Sequence, residues 1–255
     1  MGSKMARSGG AATTLLVGLA ALAVWEAAVR VTNVPQFLLP APTVVALRFA
    51  AAWGDGTMLR HLVPTLQELV IGGALGGAVG LLIGVALGVS GAARRIASPY
   101  LVAAQSTPLL ALGPLFVIWF GPGAAAKIAI CAIISFFPLA ISTLVAVRDA
   151  DPGIVELYRS LGASRLQLLF GARLPSARAG IFAGARVAAT LAVVGAIVGE
   201  WLGGSAGLGV LVNLARGSLF DTPLLFATLL QIAMLGVCAY AAVVIAERIT
   251  SRLSR

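Results

Sequence analysis

Six apolar segments, each about as long as a lipid bilayer is thick, constrain this chain more than any other feature. A membrane-spanning helix needs roughly 20 mostly apolar residues. Residues 11–31, 69–89, 101–119, 124–147, 180–202 and 223–246 each qualify. Inside lipid, backbone N–H and C=O groups must find partners within the protein, which makes helices the natural form for such runs. Composition agrees, with 60% of residues apolar and 11% charged, where a soluble domain carries about 25% charged. The expectation is an all-α membrane protein with six transmembrane helices, forming one domain over residues 11–246. Short tails at 1–10 and 247–255 flank it.

The net charge of +9 is best read by position. Loops on the cytoplasmic side of a membrane carry the excess of Lys and Arg. With the N-terminus inside, 13 basic residues fall on or near the cytoplasmic face. Five, namely Arg30, Arg48, Arg60, Lys127 and Arg216, fall outside. Both termini are then cytoplasmic, and the charge reports orientation rather than a nucleic-acid surface. Cys131 and Cys238 sit in apolar runs and read as packing residues. No Cys/His cluster has metal-ligand spacing. His61, the sole histidine, falls in the outer loop with no partner at catalytic spacing. Neither catalysis nor a bound cofactor is expected of this chain.

Between the first two spans, residues 43–53 read as a short helix after Pro42, with Val45, Phe49 and Trp53 on one face. That face suits a membrane interface. Glu26 and Arg30 are spaced to pair across one helical turn. Along the second span Gly72, Gly76, Gly80, Gly84 and Gly88 recur every fourth residue. Lacking Cβ atoms, they form a ridge that one or more neighbouring helices can approach closely. Gly180, Gly184, Gly195 and Gly199 repeat the spacing on the fifth span. Prolines 99, 108, 114 and 138 in or beside the third and fourth spans suggest a bundle that flexes around a path. The polar candidates for that path are Gln105, Ser106, Thr107, Ser135, Thr190 and Glu200. Polar residues in a membrane are functional candidates, although Ser and Thr also bond their own helix. Glu200 has a rival reading as outer-gate structure or as a contact for a binding protein.

The longest cytoplasmic stretch, residues 148–179, is the most informative. Asp151-Pro152 is a helix-start signal, and Glu156 sits early in the helix, where the dipole favours an acid. Gly162 interrupts it. A second short helix is expected from Ala163 to Arg173, before Pro175. Arg159, Arg165 and Arg173 line the pair.

This loop resembles that of the permease subunits of bacterial ABC importers. Their motif is Glu-Ala-Ala, three residues, Gly, nine residues, Ile, one residue, Leu-Pro. Here Glu156-Leu157-Tyr158, Gly162, Ala172 and Leu174-Pro175 keep the spacing, with Leu157, Tyr158 and Ala172 departing in identity. Further segments resemble the branch that imports nitrate, taurine, sulfonates, bicarbonate, and riboflavin or thiamine precursors. They are Leu38-Leu39-Pro40-Ala41-Pro42, the run from Pro114 to Gly121, Gly162-Ala163-Ser164-Arg165, and Gly207-Leu208-Gly209.

The resemblance implies a type I ABC importer permease bundle in the bacterial cytoplasmic (inner) membrane. Its solute would be a nitrate-, sulfonate- or taurine-like anion or a vitamin precursor, delivered by an extracytoplasmic substrate-binding protein. It implies a second permease copy, identical or similar, and a cytoplasmic ATPase dimer that holds the ATP and Mg. Glu156, Arg159, Gly162, Ala163, Arg165, Leu174 and Pro175 would form the ATPase-coupling surface. The chain has no Gly-x-x-x-x-Gly-Lys-Ser/Thr loop to cradle a nucleotide itself. The alternative is an ion-coupled secondary transporter. Such a protein needs buried ionisable groups, which the middles of the six spans lack.

Overall fold

The computed structural model describes residues 2–253, all of whose regular structure is helical. The helices are α1 (Gly2–Val31), α2 (Pro42–Gly54), α3 (Thr57–Val89), α4 (Gly91–Ser106), α5 (Leu109–Phe120), α6 (Ala124–Arg148), α7 (Pro152–Ser160), α8 (Arg165–Leu168), α9 (Leu174–Gly203), α10 (Leu208–Gly217) and α11 (Thr222–Leu253). Helix α1 starts well before residue 11 and α11 runs past residue 246, so helix continues into both expected tails. The chain divides into two compact units, residues 1–59 with 211–231, and residues 60–210 with 232–255.

In the first unit, Glu26 pairs with Arg30 at 2.6 Å across one turn, as the spacing predicts. The same carboxylate accepts from the Thr43 backbone N–H (3.0 Å) and hydroxyl (2.9 Å). It thereby satisfies an otherwise orphaned donor at the start of α2. Arg48 of α2 pairs with Asp221 at 2.7 Å, and Asp221 also caps α11 through the Leu224 N–H.

The second unit is organised around α6. A Cβ built on Gly72, Gly80, Gly84 or Gly88 would lie 2.6–2.7 Å from α6 atoms, and one on Gly76 would run into the Ala132 carbonyl. All five glycines therefore meet a single neighbour. Gly72 faces Cys131 and Gly88 faces Val147, so α3 and α6 run parallel in constant register. A four-residue repeat exceeds the 3.6 residues of a helical turn, so the ridge winds around α3 and α6 stays in contact with it along its length. Gly180, Gly184, Gly195 and Gly199 of α9 likewise face α6, at Ala146, Ser142, Cys131 and Lys127. Numbers that fall along α6 as they rise along α9 make this pair antiparallel.

The third expected span is not one helix. Pro108 has no N–H to donate and biases Thr107 toward extended backbone, which Thr107 adopts (φ −75°, ψ 129°). Helix α4 ends there, and the axis turns by 100° into α5. Helix α4 also begins earlier than residue 101, with Ser90 capping it through the Ala93 N–H (3.2 Å). Because α3 and α6 run parallel, the chain between them must return across the membrane. Among the described residues, the bent pair α4–α5 is what lies between them, and it is apolar enough to count as one broken span. Pro99, Pro114 and Pro138 sit inside continuous helices.

At one end of this unit lies a buried polar network. Glu68 is one four-residue step before Gly72, and Lys127 is one such step before Cys131. The register that packs the glycines thus sets the two charges opposite each other, at 2.8 Å. Lys127 also donates to the Ala206 carbonyl (3.3 Å). Glu200, 1% exposed, accepts from the Thr65 hydroxyl and from the Gly209 N–H, both at 2.5 Å. The Leu208 N–H donates to Thr65 Oγ1 (2.8 Å). Together Thr65 and Glu200 satisfy the first free N–H groups of α10, whose positive end also favours a carboxylate. His61 Nδ1 contacts both the carbonyl (2.8 Å) and the N–H (3.2 Å) of Gly207, and its tautomer decides which bond forms. Gly207 has φ +135°, and a side chain there would collide with the Glu200 carboxylate.

Two outcomes test this packing by thermal unfolding of the detergent-solubilised protein. Gly80→Ala forces a methyl against backbone and should cost about 1–3 kcal/mol. Gly236→Ala, in α11 with nothing within 4 Å, should leave the melting temperature unchanged or slightly raised; equal losses would contradict the ridge. Lys127→Met strands buried carboxylates and should cost about 3–5 kcal/mol. Glu68→Gln with Lys127→Met should recover part of that loss, whereas strictly additive losses would show that the pair does not interact.

Candidate functional site

The loop between α6 and α9 is a small, internally packed unit. Pro152 opens α7 with its φ already suited to helix, and Asp151 caps it by accepting from the Gly153 N–H at 2.8 Å. The helix closes at Gly162. There the Gly162 N–H bonds the Arg159 carbonyl and the Ala163 N–H bonds the Tyr158 carbonyl, each at 3.0 Å. This two-bond helix stop requires a left-handed residue, and Gly162 supplies it at φ +73°. Ser164 then starts α8 with a reciprocal cap. Its hydroxyl accepts from the Gln167 N–H, and its own N–H donates to the Gln167 side chain.

The second element does not stop at Pro175. Residues Leu169–Arg173 form a π turn in which the Leu174 N–H reaches the carbonyl five residues back, at Leu169. Pro175 normally breaks a helix by lacking an N–H and crowding the preceding turn. Here it stands just after the wide π turn, where the i→i−4 ladder is already interrupted. One helix therefore runs from Arg165 to Gly203, instead of a separate short helix ending at Arg173.

Ala150, Val155 and Ala172 form the loop's own buried core, with Tyr158 and Leu168 packed against it. The Tyr158 ring covers Gly171 closely enough that a Cβ there would lie 2.5 Å from the ring. Tyr158 and Ala172 are two of the three departures from the motif, and both fall in this cluster: a large ring on α7 faces two small residues. The third, Leu157, points outward. Leu157, Leu161, Leu166 and Phe170 are 57–76% exposed, and Glu156, Arg159 and Arg165 are exposed beside them. Ala163 and Leu174 are half-buried, while Pro175 is exposed. At the loop's start, Arg148 grips Asp149 through two bonds of 2.6 and 2.7 Å. Those bonds hold the Asp149 carboxyl below the usual carboxylate range.

The residues expected to line a path divide into two groups. Gln105, Ser106 and Thr107 are exposed at the α4–α5 break, where Ser106 and Thr107 bond the carbonyls of Val102 and Ala103. Ser135 is buried against Gly76 and bonds the Cys131 carbonyl. Thr190, half-buried, bonds its own helix. Glu200 is locked into the polar network. The structure does not bring these six together.

Four residues outside the expected path set, His61, Thr65, Glu68 and Lys127, gather in the network with Glu200. The signal was present: Glu68 occupies the next place on the glycine ridge. Glu68, Lys127, Gln67 and Ser205 also line a cavity of about 300 Å³.

Comparison with known proteins agrees with this architecture. Residues 76–255 match the family described as binding-protein-dependent transport system inner membrane component. The chain is 41% identical over 231 residues to the riboflavin transport system permease protein RibX of Chloroflexus aurantiacus, covering 91% of this chain and 86% of that one. It is 34% identical to the formylaminopyrimidine transport permease protein ThiX of Halalkalibacterium halodurans, covering 94% of each. To the putative aliphatic sulfonates transport permease protein SsuC of Escherichia coli it is 35% identical, covering 91% and 88%. A chain of the MetNI methionine ABC transporter shares the fold, with a TM-score of 0.65 at 22% identity over 73% of this chain and 92% of that one. The chain thus belongs to the binding-protein-dependent transport system inner membrane components, and is a multi-pass ABC transporter permease.

Proposed function

We propose that this chain is the membrane half of an ATP-driven importer, and that the α7–Gly162–α8 unit is where it receives work from a cytoplasmic ATPase dimer. The observation that carries this reading is the loop itself. A hairpin fixed by its own caps and core exposes Leu157, Leu161, Leu166 and Phe170 together with Glu156, Arg159 and Arg165. An exposed apolar patch rimmed by polar groups is the mark of a protein-binding surface. With that face cytoplasmic, both termini are cytoplasmic and the Glu68–Lys127–Glu200 end is external. ATP and Mg act on the partner. A second permease, identical or similar, completes the path, and an extracytoplasmic binding protein delivers the solute.

The solute belongs to the range named for the relatives, a vitamin, a vitamin precursor or a sulfonate-like anion. Gln105, Ser106 and Thr107 form the polar lining at the α4–α5 break. The buried charges at the external end engage one another and the 204–209 loop in fixed geometry, which disfavours an ion-coupled secondary transporter.

Gly162→Asp places a side chain on left-handed backbone inside the coupling surface. It should abolish uptake while membrane insertion continues. Normal uptake by that variant, with the ATPase bound, would remove the coupling assignment. Uptake of whichever of labelled riboflavin, thiamine pyrimidine or taurine the complete system carries should stop with vanadate and on loss of the ATPase. Uptake that instead survives ATPase loss and collapses with the ion gradient would favour a secondary transporter.

A further inference from the structure

Arg159, Arg165 and Arg173 line one cavity of about 480 Å³ where the α7–α8 unit meets the junction of α3 and α4. None of the three has a carboxylate within ion-pair distance among the described residues. Of the loop's acids, Asp149 holds Arg148, Asp151 caps α7, and Glu156 is exposed on α7 without ion-pairing any of the three. Three like charges around a partly enclosed volume repel one another, and an anion in their midst reverses the sign of that energy. Guanidinium groups in particular match phosphate oxygens in pairs.

The rest of the wall is apolar and includes Val89, Leu168 and Leu169. Val89 is the last residue of the long apolar helix α3, and its carbonyl accepts from Arg173 at 3.4 Å. Helix α4 follows directly and contains no buried residue. It carries Arg94 and Arg95 beside exposed Ile96, Tyr100 and Val102, the mixture that settles at a membrane–water boundary. The cavity is thus basic on one side and apolar on the other, and it opens beside the end of α3 and the start of α4.

We propose that this cavity binds the phosphate headgroup of an anionic phospholipid, with Arg159, Arg165 and Arg173 on the phosphate and the apolar wall against the lipid's glycerol and upper chains. A basic pocket among helices at a membrane face is a known design for such headgroups. Charge alone would also admit an acidic side chain of the ATPase. The apolar wall and the tie to the end of α3 favour a lipid; Arg159 and Arg165 border both this cavity and the coupling surface, and the exposed Leu157, Leu161, Leu166 and Phe170 stay free for the ATPase.

The test uses the delipidated full-length permease in detergent. Its melting temperature is followed on adding dioleoylphosphatidylglycerol, dioleoylphosphatidylcholine or inorganic phosphate. Phosphatidylglycerol should raise it, the other two should not, and the triple variant Arg159→Gln, Arg165→Gln, Arg173→Gln should lose most of the gain. An equal rise with phosphatidylcholine, a full rise with inorganic phosphate, or a gain retained by the triple variant would overturn the proposal. A variant that loses ATPase capture while keeping the lipid response would assign the guanidiniums to the ATPase instead. Should the triple variant fail to fold, native mass spectrometry of the wild-type permease decides. Phosphatidylglycerol retained against excess phosphatidylcholine supports the site, and none retained refutes it.

Discussion

The close approach of α3 and α9 to the backbone of α6 is the constraint on which the rest of the second unit depends. In lipid there is little hydrophobic gain from helix association, so van der Waals contact must do most of the work. Glycines at four-residue spacing make that contact possible, because they let main chain meet main chain. On α3 they also set register, and register in turn decides which polar groups meet. The Glu68–Lys127 pair is a by-product of packing Gly72 on Cys131. The clamp on the 204–209 segment follows, because Gly199 brings the end of α9 against Lys127 and leaves Glu200 beside Thr65.

Much of this was legible in the amino-acid order. The apolar runs located the spans, Asp151-Pro152 located the start of α7, and Gly162 located its end, because each signal is local. The failures were of another kind. Continuous hydropathy predicts one helix for the third span, yet Pro108 acts through a missing backbone donor that hydropathy does not register. A proline's usual effect predicts a helix end at Pro175, yet the π turn at Leu169–Arg173 just upstream absorbs it. Glu200 was visible as an odd polar residue, while its partners His61, Thr65, Glu68 and Lys127 lie far away in sequence. Only helix register joins them.

The charge tally also gains a sharper meaning. Of the five basic residues expected outside, Arg30, Arg48 and Lys127 are each neutralised by a carboxylate in the fold. Arg148 and Arg186, expected inside, are ion-paired likewise, so pairing is found among the basic residues of both groups. A basic count is most informative when ion-paired residues are set aside first.

The unbroken helix from Arg165 to Gly203 has a mechanical consequence. At 1.5 Å per residue, its 39 residues make a strut of about 58 Å. One tip carries the exposed face of the loop, and the other carries Glu200 and the start of the clamped 204–209 segment. A push on the first tip is delivered to the second without a joint between them, apart from the π turn near the base. That turn is the natural place for the strut to yield. Its stiffness would set how much of an imposed stroke arrives at the far side and how much is lost in bending.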